Sequence, residues 1–399
     1  MQLRTLGDLG DLKDKRVLTR VDFNVAVDGA RIIDDTRIRL TLPTIAMLRS
    51  AGARCVLVSH FKEGKPKQTL APVAAHLQEL LGGQSVTFIR DRIGASSLAK
   101  KLGTMRRGDV VLLENIRFAS GEEANSATFA RALAQLGDVY VNDAFAVCHR
   151  AHASVATVPT LLPSAAGPLL EREVEVLSRL LDGPATPFIA LIGGAKISTK
   201  VPVIERLLGV ADSVLLGGAL VNNFFVARGY GVGASLVEEA GIAVAKRLLR
   251  NTKRRNLTVP IDVVIGDSTG KRKEVRVVPM TPKANVICES PFAILDIGPA
   301  TMRAYSQQLK SAATIVWNGP MGMFERPPFH LGSLTLARVI TSRSSGRAFG
   351  VVGGGETLAI LAQTRMARYI DHVSSGGGAM LAFLAGEALP GLTPLVMRS

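Results

Sequence analysis

The stretch Arg347-Ala348-Phe349-Gly350-Val351-Val352-Gly353-Gly354-Gly355-Glu356-Thr357 decides the fold class. An apolar run ends in three glycines, an acid and a hydroxyl. The run predicts a buried strand, and a helix is expected to begin near Gly355. Glycine lets a ligand come close to the main chain and permits positive φ. A helix starting there aims its free N–H groups and its dipole at whatever sits on the glycines. Glu356 would repel a phosphate unless a divalent cation lay between them. The stretch therefore reads in two ways. It is either a metal–polyphosphate site or a plain strand-to-helix turn with an acid in its first turn.

The same alternation continues outward in both directions. Strands are expected at 16–21, 53–59, 110–113 and 138–141. Asp35 is expected to cap a helix through Leu48, with further helices at 70–81 and near 124–135. A helix at 167–181 ends on Asp182-Gly183-Pro184, a strong stop. Strands then recur at 188–192, 213–216, 314–317, 349–352 and 369–373. The fold class is α/β: two Rossmann-like three-layer α/β/α domains with mainly parallel sheets, joined by a hinge helix.

Bulk properties exclude several classes. The chain has 399 residues, 47% hydrophobic and 20% charged, so it can build sizeable cores. No run of about 20 apolar residues is free of charge or Gly/Pro breaks. The first residues carry no apolar segment of a signal peptide, and Cys55, Cys148 and Cys288 are odd in number and far apart. Reduced thiols and a cytoplasmic location are expected. The net charge of +15 fits an anionic ligand, a nucleic acid or an anionic membrane surface. Aromatic content of 5% leaves little for base stacking.

In parallel sheets, ligands sit beyond the carboxyl ends of the strands. Arg20, Asp22 and Asn24 follow the first expected strand, and His60 follows the second. Glu114, Asn115 and Arg117 follow the third. Asn142, Asp143, His149, Arg150 and His152 follow the fourth. Arg37 opens the first helix. Arginine clamps phosphate and carboxylate bidentately, so this is the composition of a pocket for a small phosphorylated acid. The second half places glycines at the same positions: Gly193-Gly194 with Lys196 and Lys200, Gly217-Gly218, Asn318-Gly319, the Gly353 triplet, and Ser375-Gly376. Glycine-lined strand ends suit a flat phosphorylated ligand such as a nucleotide.

Three motifs fail. Gly266-Asp-Ser-Thr-Gly270-Lys271 is one residue short of a Walker A loop, and Gly229-Tyr-Gly-Val-Gly233 has the wrong spacing for a dinucleotide fingerprint. Asp22-Phe23-Asn24 and His149-Arg150 echo protein-kinase motifs in reversed order.

Nearly end to end, the chain resembles the phosphoglycerate kinase family. The resemblance rests on Arg20-Val-Asp-Phe-Asn-Val25, Asp34-Asp-Thr-Arg-Ile38, Ser59-His60, Glu114-Asn-Ile-Arg-Phe118 and Val141-Asn-Asp-Ala-Phe145. It continues through His149-Arg-Ala-His-Ala-Ser154, Gly193-Gly-Ala-Lys196 with Lys200, Trp317-Asn-Gly-Pro-Met-Gly-Met-Phe-Glu325, the Gly353 triplet and Val373-Ser-Ser-Gly-Gly-Gly378.

It implies reversible phosphoryl transfer from 1,3-bisphosphoglycerate to Mg-ADP, giving 3-phosphoglycerate and ATP, with Mg²⁺ as cofactor. It implies that Arg20, Asp22, Phe23, Asn24, Arg37, His60, Lys62, Arg117, Arg150 and His152 bind the phosphoglycerate. Gly194, Lys200, Gly217, Gly218, Glu325, Gly353, Gly354, Gly355, Glu356, Thr357, Ser375 and Gly376 are implied to bind nucleotide. Arg37, Lys196 and Lys200 are implied to be catalytic, and Glu356 to hold the metal. The implied layout is a phosphoglycerate domain at 1–166 joined by the tail 390–399, a linker helix and hinge at 167–182, and a nucleotide domain at 183–389. A monomer that binds neither nucleic acid nor membrane is expected. The alternatives are a catalytically weak relative using its basic surface on nucleic acid or membrane, and a nicotinamide-dependent oxidoreductase.

The chain departs from the family pattern in places. The loop Ser59-His60-Phe61-Lys62-Glu63-Gly64-Lys65-Pro66 lacks the usual Arg, and Lys62 or Lys65 can replace it only as a point charge. Ala26 stands for the usual Pro, Glu356 for the usual Asp, and Ser375 for the usual Thr.

Overall fold

The computed structural model describes residues 1–29, 31–61, 68–250, 256–281 and 285–397. It divides into two units, Met1–Val176 with Ala388–Ser399, and Leu177–Glu387.

In the first unit, six parallel strands form one sheet. They are β1 (Arg16–Arg20), β2 (Arg54–Val58), β3 (Val86–Ile89), β4 (Val110–Leu113), β5 (Val139–Asn142) and β6 (Ser164–Ala166), in the order β3-β4-β2-β1-β5-β6. Successive side chains point to opposite faces. Val17, Cys55, Leu57, Val110, Leu112, Val139 and Val141 therefore pack with α1 (Thr36–Ser50) and α2 (Ala71–Leu80), through Ile38, Ile45, Leu48, Val73 and Leu77. Leu18, Val56, Val58, Val111, Leu113 and Tyr140 pack on the other face with α3 (Ser96–Gly103) and α5 (Ala127–Ala134). A short helix, α4 (Ser120–Glu123), precedes α5, and α6 (Pro168–Leu181) begins after β6.

The second unit repeats the plan. Its strands are β7 (Phe188–Ile192), β8 (Ser213–Leu216), β9 (Leu257–Thr258), β13 (Thr314–Asn318), β14 (Phe349–Gly353) and β15 (His372–Ser374), parallel in the order β9-β8-β7-β13-β14-β15. Trp317, Ile315, Leu191 and Val352 pack against α10 (Pro299–Ser311), α11 (Leu331–Ser344) and α12 (Gly355–Thr364). An antiparallel sheet of β10 (Asp262–Asp267), β11 (Val275–Pro279) and β12 (Phe292–Ile297) is inserted before α10. α7 (Val201–Leu207), α8 (Val221–Ala227), α9 (Glu239–Arg250) and α13 (Gly378–Leu384) complete the unit.

Two local expectations need correction. The strand expected at 369–373 begins only at His372, because residues 367–369 close a 3₁₀ turn in which Ile370 N–H donates to Ala367 O at 3.1 Å. Asp35 sits at the N-cap of α1 but makes no capping bond. Its carboxylate instead takes Arg39 at 2.8 Å and His76 at 2.9 Å, while Asp34 accepts from Thr36 N–H at 2.9 Å. Among the described residues, no helix is long and apolar enough to cross a membrane. All three cysteines are buried and unpaired.

Candidate active site

In the first unit, the polar groups gather at the carboxyl ends of β1, β2, β4 and β5. Arg20 closes β1 and is fully buried. Its Nε donates to Ser154 Oγ at 2.9 Å, one terminal nitrogen to Val21 O, and the other lies 3.2 Å from His60 Nδ1. A guanidinium has no acceptor, so Nδ1 accepts and the ring proton of neutral His60 sits on Nε2. Burial pushes His60 well below its ordinary pKa, and the charges of Arg20, Arg117, Arg150 and Arg37 add to this. Four guanidinium groups thus bear on one neutral imidazole.

Arg37, one residue inside α1, donates to Asp22 Oδ2 at 2.7 Å and to Asn24 O at 3.2 Å. Asp22 also accepts from Asn24 N–H at 3.2 Å, which folds the loop after β1 back on itself. The Phe23 ring is fully buried in the core, so Phe23 offers a ligand only its main chain. Arg117 is buried and lies 3.3 Å from Glu123. Burial lowers the His152 pKa, as do Arg117, Arg150 and Arg20, while Glu122 opposes them. Lys62 and Lys65 lie outside the described residues.

Two neighbours of this cluster act as struts. Asn115 accepts from Phe61 N–H and Arg117 N–H and donates to Phe61 O and Gln68 O, all within 3.2 Å. Asp143 accepts from Thr44 Oγ1 at 2.5 Å and from the first N–H groups of α6, Leu169 and Leu170, at 2.9 and 3.3 Å.

In the second unit, the ends of β7, β8 and β13 meet backbone to backbone. A Cβ on Gly218, whose φ is +69°, would meet Gly194 N at 2.5 Å, and one on Gly193 would run into Pro320 O. The glycines are thus required by close packing of the three loops. Beside them lies a cavity of about 330 Å³ with Gly194, Gly218, Glu325 and Glu356 in its wall. The remaining wall is mostly apolar, from Val221, Leu236 and Val263 to Ala293, Ile294 and Met321.

Lys200, Gly353, Gly354, Gly355 and Thr357 stand outside that wall but are tied to each other. Lys200 Nζ donates to Asn318 Oδ1, Asn318 Nδ2 donates to Gly353 O at 2.9 Å, and Gly319 N–H donates to Thr357 Oγ1 at 2.8 Å. Burial pulls Lys200 down to about 8, with Glu356 pulling the other way. α12 starts at Gly355 behind Gly354, at φ +100°, with Glu356 exposed in its first turn. Lys196 is exposed on the loop after β7, and Gly217 is buried, where a Cβ would run into Met321 Sδ. Ser375 and Gly376 follow β15, where Gly376 N–H donates to Ser374 Oγ at 3.1 Å.

Sequence reasoning missed the apolar wall and Asn318 as the link between Lys200 and Gly353. The wall residues come from β10, β12, the start of α8 and short loops whose patterns read as ordinary core. Asn318 carried a signal, since it follows a strand end like the other polar candidates.

The model of the family "Phosphoglycerate kinase" matches residues 6–387. A phosphoglycerate kinase of Thermomicrobium roseum is 46% identical over 99% of both chains, and one of Synechococcus elongatus is 43% identical over 99% of both. Among solved structures, phosphoglycerate kinase of Coxiella burnetii superposes with a TM-score of 0.84 at 36% identity, covering 99% of both chains. That of Pyrococcus horikoshii gives 0.85 at 32% identity, covering 98% of both. The glycine-packed cavity, the arginine-surrounded histidine and these matches lead to one conclusion: the chain belongs to the phosphoglycerate kinase family.

Proposed function

We propose that this chain transfers the acyl phosphoryl group of 1,3-bisphosphoglycerate to Mg-ADP, giving 3-phosphoglycerate and ATP, and runs the reaction in reverse. The observation that carries the reading is the basic cluster at the carboxyl ends of β1, β2 and β4, where Arg20 lies 3.2 Å from His60 Nδ1 and Arg37 is held 2.7 Å from Asp22, with the charges of Arg117 and Arg150 also acting on His60. Such a pocket suits a ligand that carries both a phosphate and a carboxylate. Arg37, His60, Arg117, Arg150 and His152, with Asp22, Asn24 and the Phe23 main chain, are the proposed phosphoglycerate set, with Arg20 behind His60. Lys62 is proposed only from its position in the loop.

In the ATP-consuming direction the nucleophile is a carboxylate, ionised near neutral pH, so no general base is needed. What the reaction needs is in-line positioning and charge neutralisation at the moving phosphoryl. Arg37, Lys196 and Lys200 supply fixed positive charge. Gly353 to Thr357, Gly194, Gly217, Gly218, Ser375 and Gly376 form the proposed nucleotide cradle, with Glu325 in the wall of the adjoining cavity.

Glu356 is the proposed metal residue. Among the described residues no group of three or more His, Cys, Asp and Glu could hold a metal by itself. A lone exposed carboxylate in the first turn of a helix fits Mg²⁺, which is commonly held by one or two carboxylates plus substrate phosphates. Mg²⁺ would there screen the phosphate charge.

Water must be excluded from the acyl phosphate and from ATP. The helix α6 and its exit Asp182-Gly183-Pro184 are the proposed hinge for closing a phosphoglycerate domain (1–166 and 390–399) over a nucleotide domain (183–389). We further propose a cytoplasmic monomer. A coupled assay with 3-phosphoglycerate, ATP and Mg²⁺ tests the activity. No phosphoglycerate-dependent ADP release at high enzyme concentration would sink it.

A further inference from the structure

Behind the phosphoglycerate set lies a buried carboxylate that no step of the reaction uses. Glu122, in α4, is fully buried, as are Ser154 and Arg20. Ser154 Oγ donates to Glu122 Oε1 at 2.6 Å, and Ser154 N–H donates to Glu122 Oε2 at 2.9 Å. The same Oγ accepts from Arg20 Nε at 2.9 Å, and Arg20 lies 3.2 Å from His60 Nδ1. Tyr140 OH, fully buried, donates to Ser154 O at 2.6 Å, so every polar group of Ser154 is engaged.

Direction matters in this chain. Glu122 as a carboxylate accepts only, so the Ser154 hydroxyl proton must point at it. The hydroxyl lone pairs are then left for Arg20 Nε. With Nε and one terminal nitrogen committed to Ser154 Oγ and Val21 O, the planar guanidinium has one orientation, and its remaining nitrogen faces His60 Nδ1. A buried ion left without its partner is costly, so the line holds together or fails together.

We propose that Glu122 is a positioning residue for phosphoglycerate binding: through Ser154 and Arg20 it fixes the ring orientation and the Nε2–H tautomer of His60. An imidazole held this way offers an N–H donor to a phosphate or carboxylate oxygen. In the other tautomer Nε2 becomes an acceptor and repels that oxygen. Glu122 has a second target. His152 Nδ1, buried and without a hydrogen-bond partner among the described residues, stands 4.0 Å from Glu122 Oε1, with Arg117, Arg150 and Arg20 as the other charges bearing on that ring.

The proposal rests on the phosphoglycerate reading of this pocket, and the experiment separates the two. ¹⁵N spectra of the histidines in ligand-free full-length protein give the His60 tautomer, and steady-state kinetics give KM for 3-phosphoglycerate and for ATP separately. Ser154→Ala cuts the line but keeps the Glu122 charge. Glu122→Gln keeps the shape and removes the charge. Tyr140→Phe removes an equally buried bond to the same serine and controls for loss of stability.

Ser154→Ala and Glu122→Gln are expected to give mixed His60 tautomers. KM for 3-phosphoglycerate should rise about tenfold, the effect of losing one well-placed hydrogen bond, with KM for ATP unchanged. Tyr140→Phe is expected to lower only the unfolding temperature, and Ser154→Thr to restore the tautomer. A pure Nε2–H tautomer in Ser154→Ala overturns the relay. A mixed tautomer with unchanged KM for 3-phosphoglycerate overturns the role in binding, whereas an unchanged KM in His60→Ala would instead overturn the placement of that ligand beside His60.

Discussion

Lys200 Nζ donates to the side-chain oxygen of Asn318, which ties a half-buried side chain at the start of α7 to the end of β13. Burial holds that amine near pKa 8 in place of its ordinary 10.5. The charge on Lys200 is therefore present below about pH 8 and lost above it. We expect kcat/KM for ATP, which reports the free enzyme, to fall as pH rises through that value. In Lys200→Arg, whose guanidinium does not titrate, the alkaline fall should be absent whatever the absolute rate. A pH–rate profile from pH 7 to 10 checks this, and an unchanged alkaline limb in the Arg variant would count against Lys200 as the titrating group.

Arg37 is anchored by Asp22 at 2.7 Å yet remains 37% exposed, so it can meet a ligand without losing its anchor. If it stabilises the moving phosphoryl, Arg37→Ala should lower kcat by about 10²–10³. KM for ATP should move by less than about threefold. Comparable changes in both would assign Arg37 to ground-state binding.

Glu356 carries one methylene more than the family's usual Asp. Glu356→Gln should weaken divalent-metal affinity in the presence of ADP by about tenfold or more, and Glu356→Asp should retain it. Mn²⁺ binding followed by electron paramagnetic resonance reads this without turnover. Parent-like affinity in the Gln variant would remove the metal assignment and leave the cradle intact.

Asp143 is buried between Thr44 and the first turn of α6, and burial raises its pKa to about 6. The folded state then holds more protons than the unfolded state between about pH 4 and 6, so this group's stabilisation is full below that window and lost as pH rises through it. Asp143→Asn keeps an acceptor for Leu169 and Leu170 and ends the titration. Its stability relative to the parent should rise across that window. Asp143→Ala leaves those donors unpaired and should cost about 1–3 kcal/mol. Calorimetry of the three proteins from pH 4 to 8 decides between these outcomes.

Closure about α6 predicts compaction when both ligands bind. Small-angle scattering with 3-phosphoglycerate and a non-hydrolysable ATP analogue should give a smaller radius of gyration than either ligand alone. An unchanged radius would refute the hinge.

Much of this was already legible in the chain itself. Apolar runs such as 110–113, 188–192 and 213–216 predicted strands that β4, β7 and β8 match residue for residue, because buried parallel strands need apolar side chains on both faces. The opening stretch at 347–357 became β14, Gly354 at positive φ and α12, since only glycine reaches that turn without strain. Arg and His recur at strand ends because a parallel sheet collects those ends on one edge.

Tertiary structure decided which atoms of those residues remain available. Phe23 is core, Arg20 is buried behind His60, and the Asp35 carboxylate goes to Arg39 and His76 instead of a cap. The apolar wall beside Gly218 comes in part from β10 and β12, far away in sequence, and its residues look like any others that avoid water. Strand and helix periods are local properties of a chain. Desolvation, hydrogen-bond direction and the pKa of Lys200 or Asp143 depend on neighbours that only the packed fold brings together.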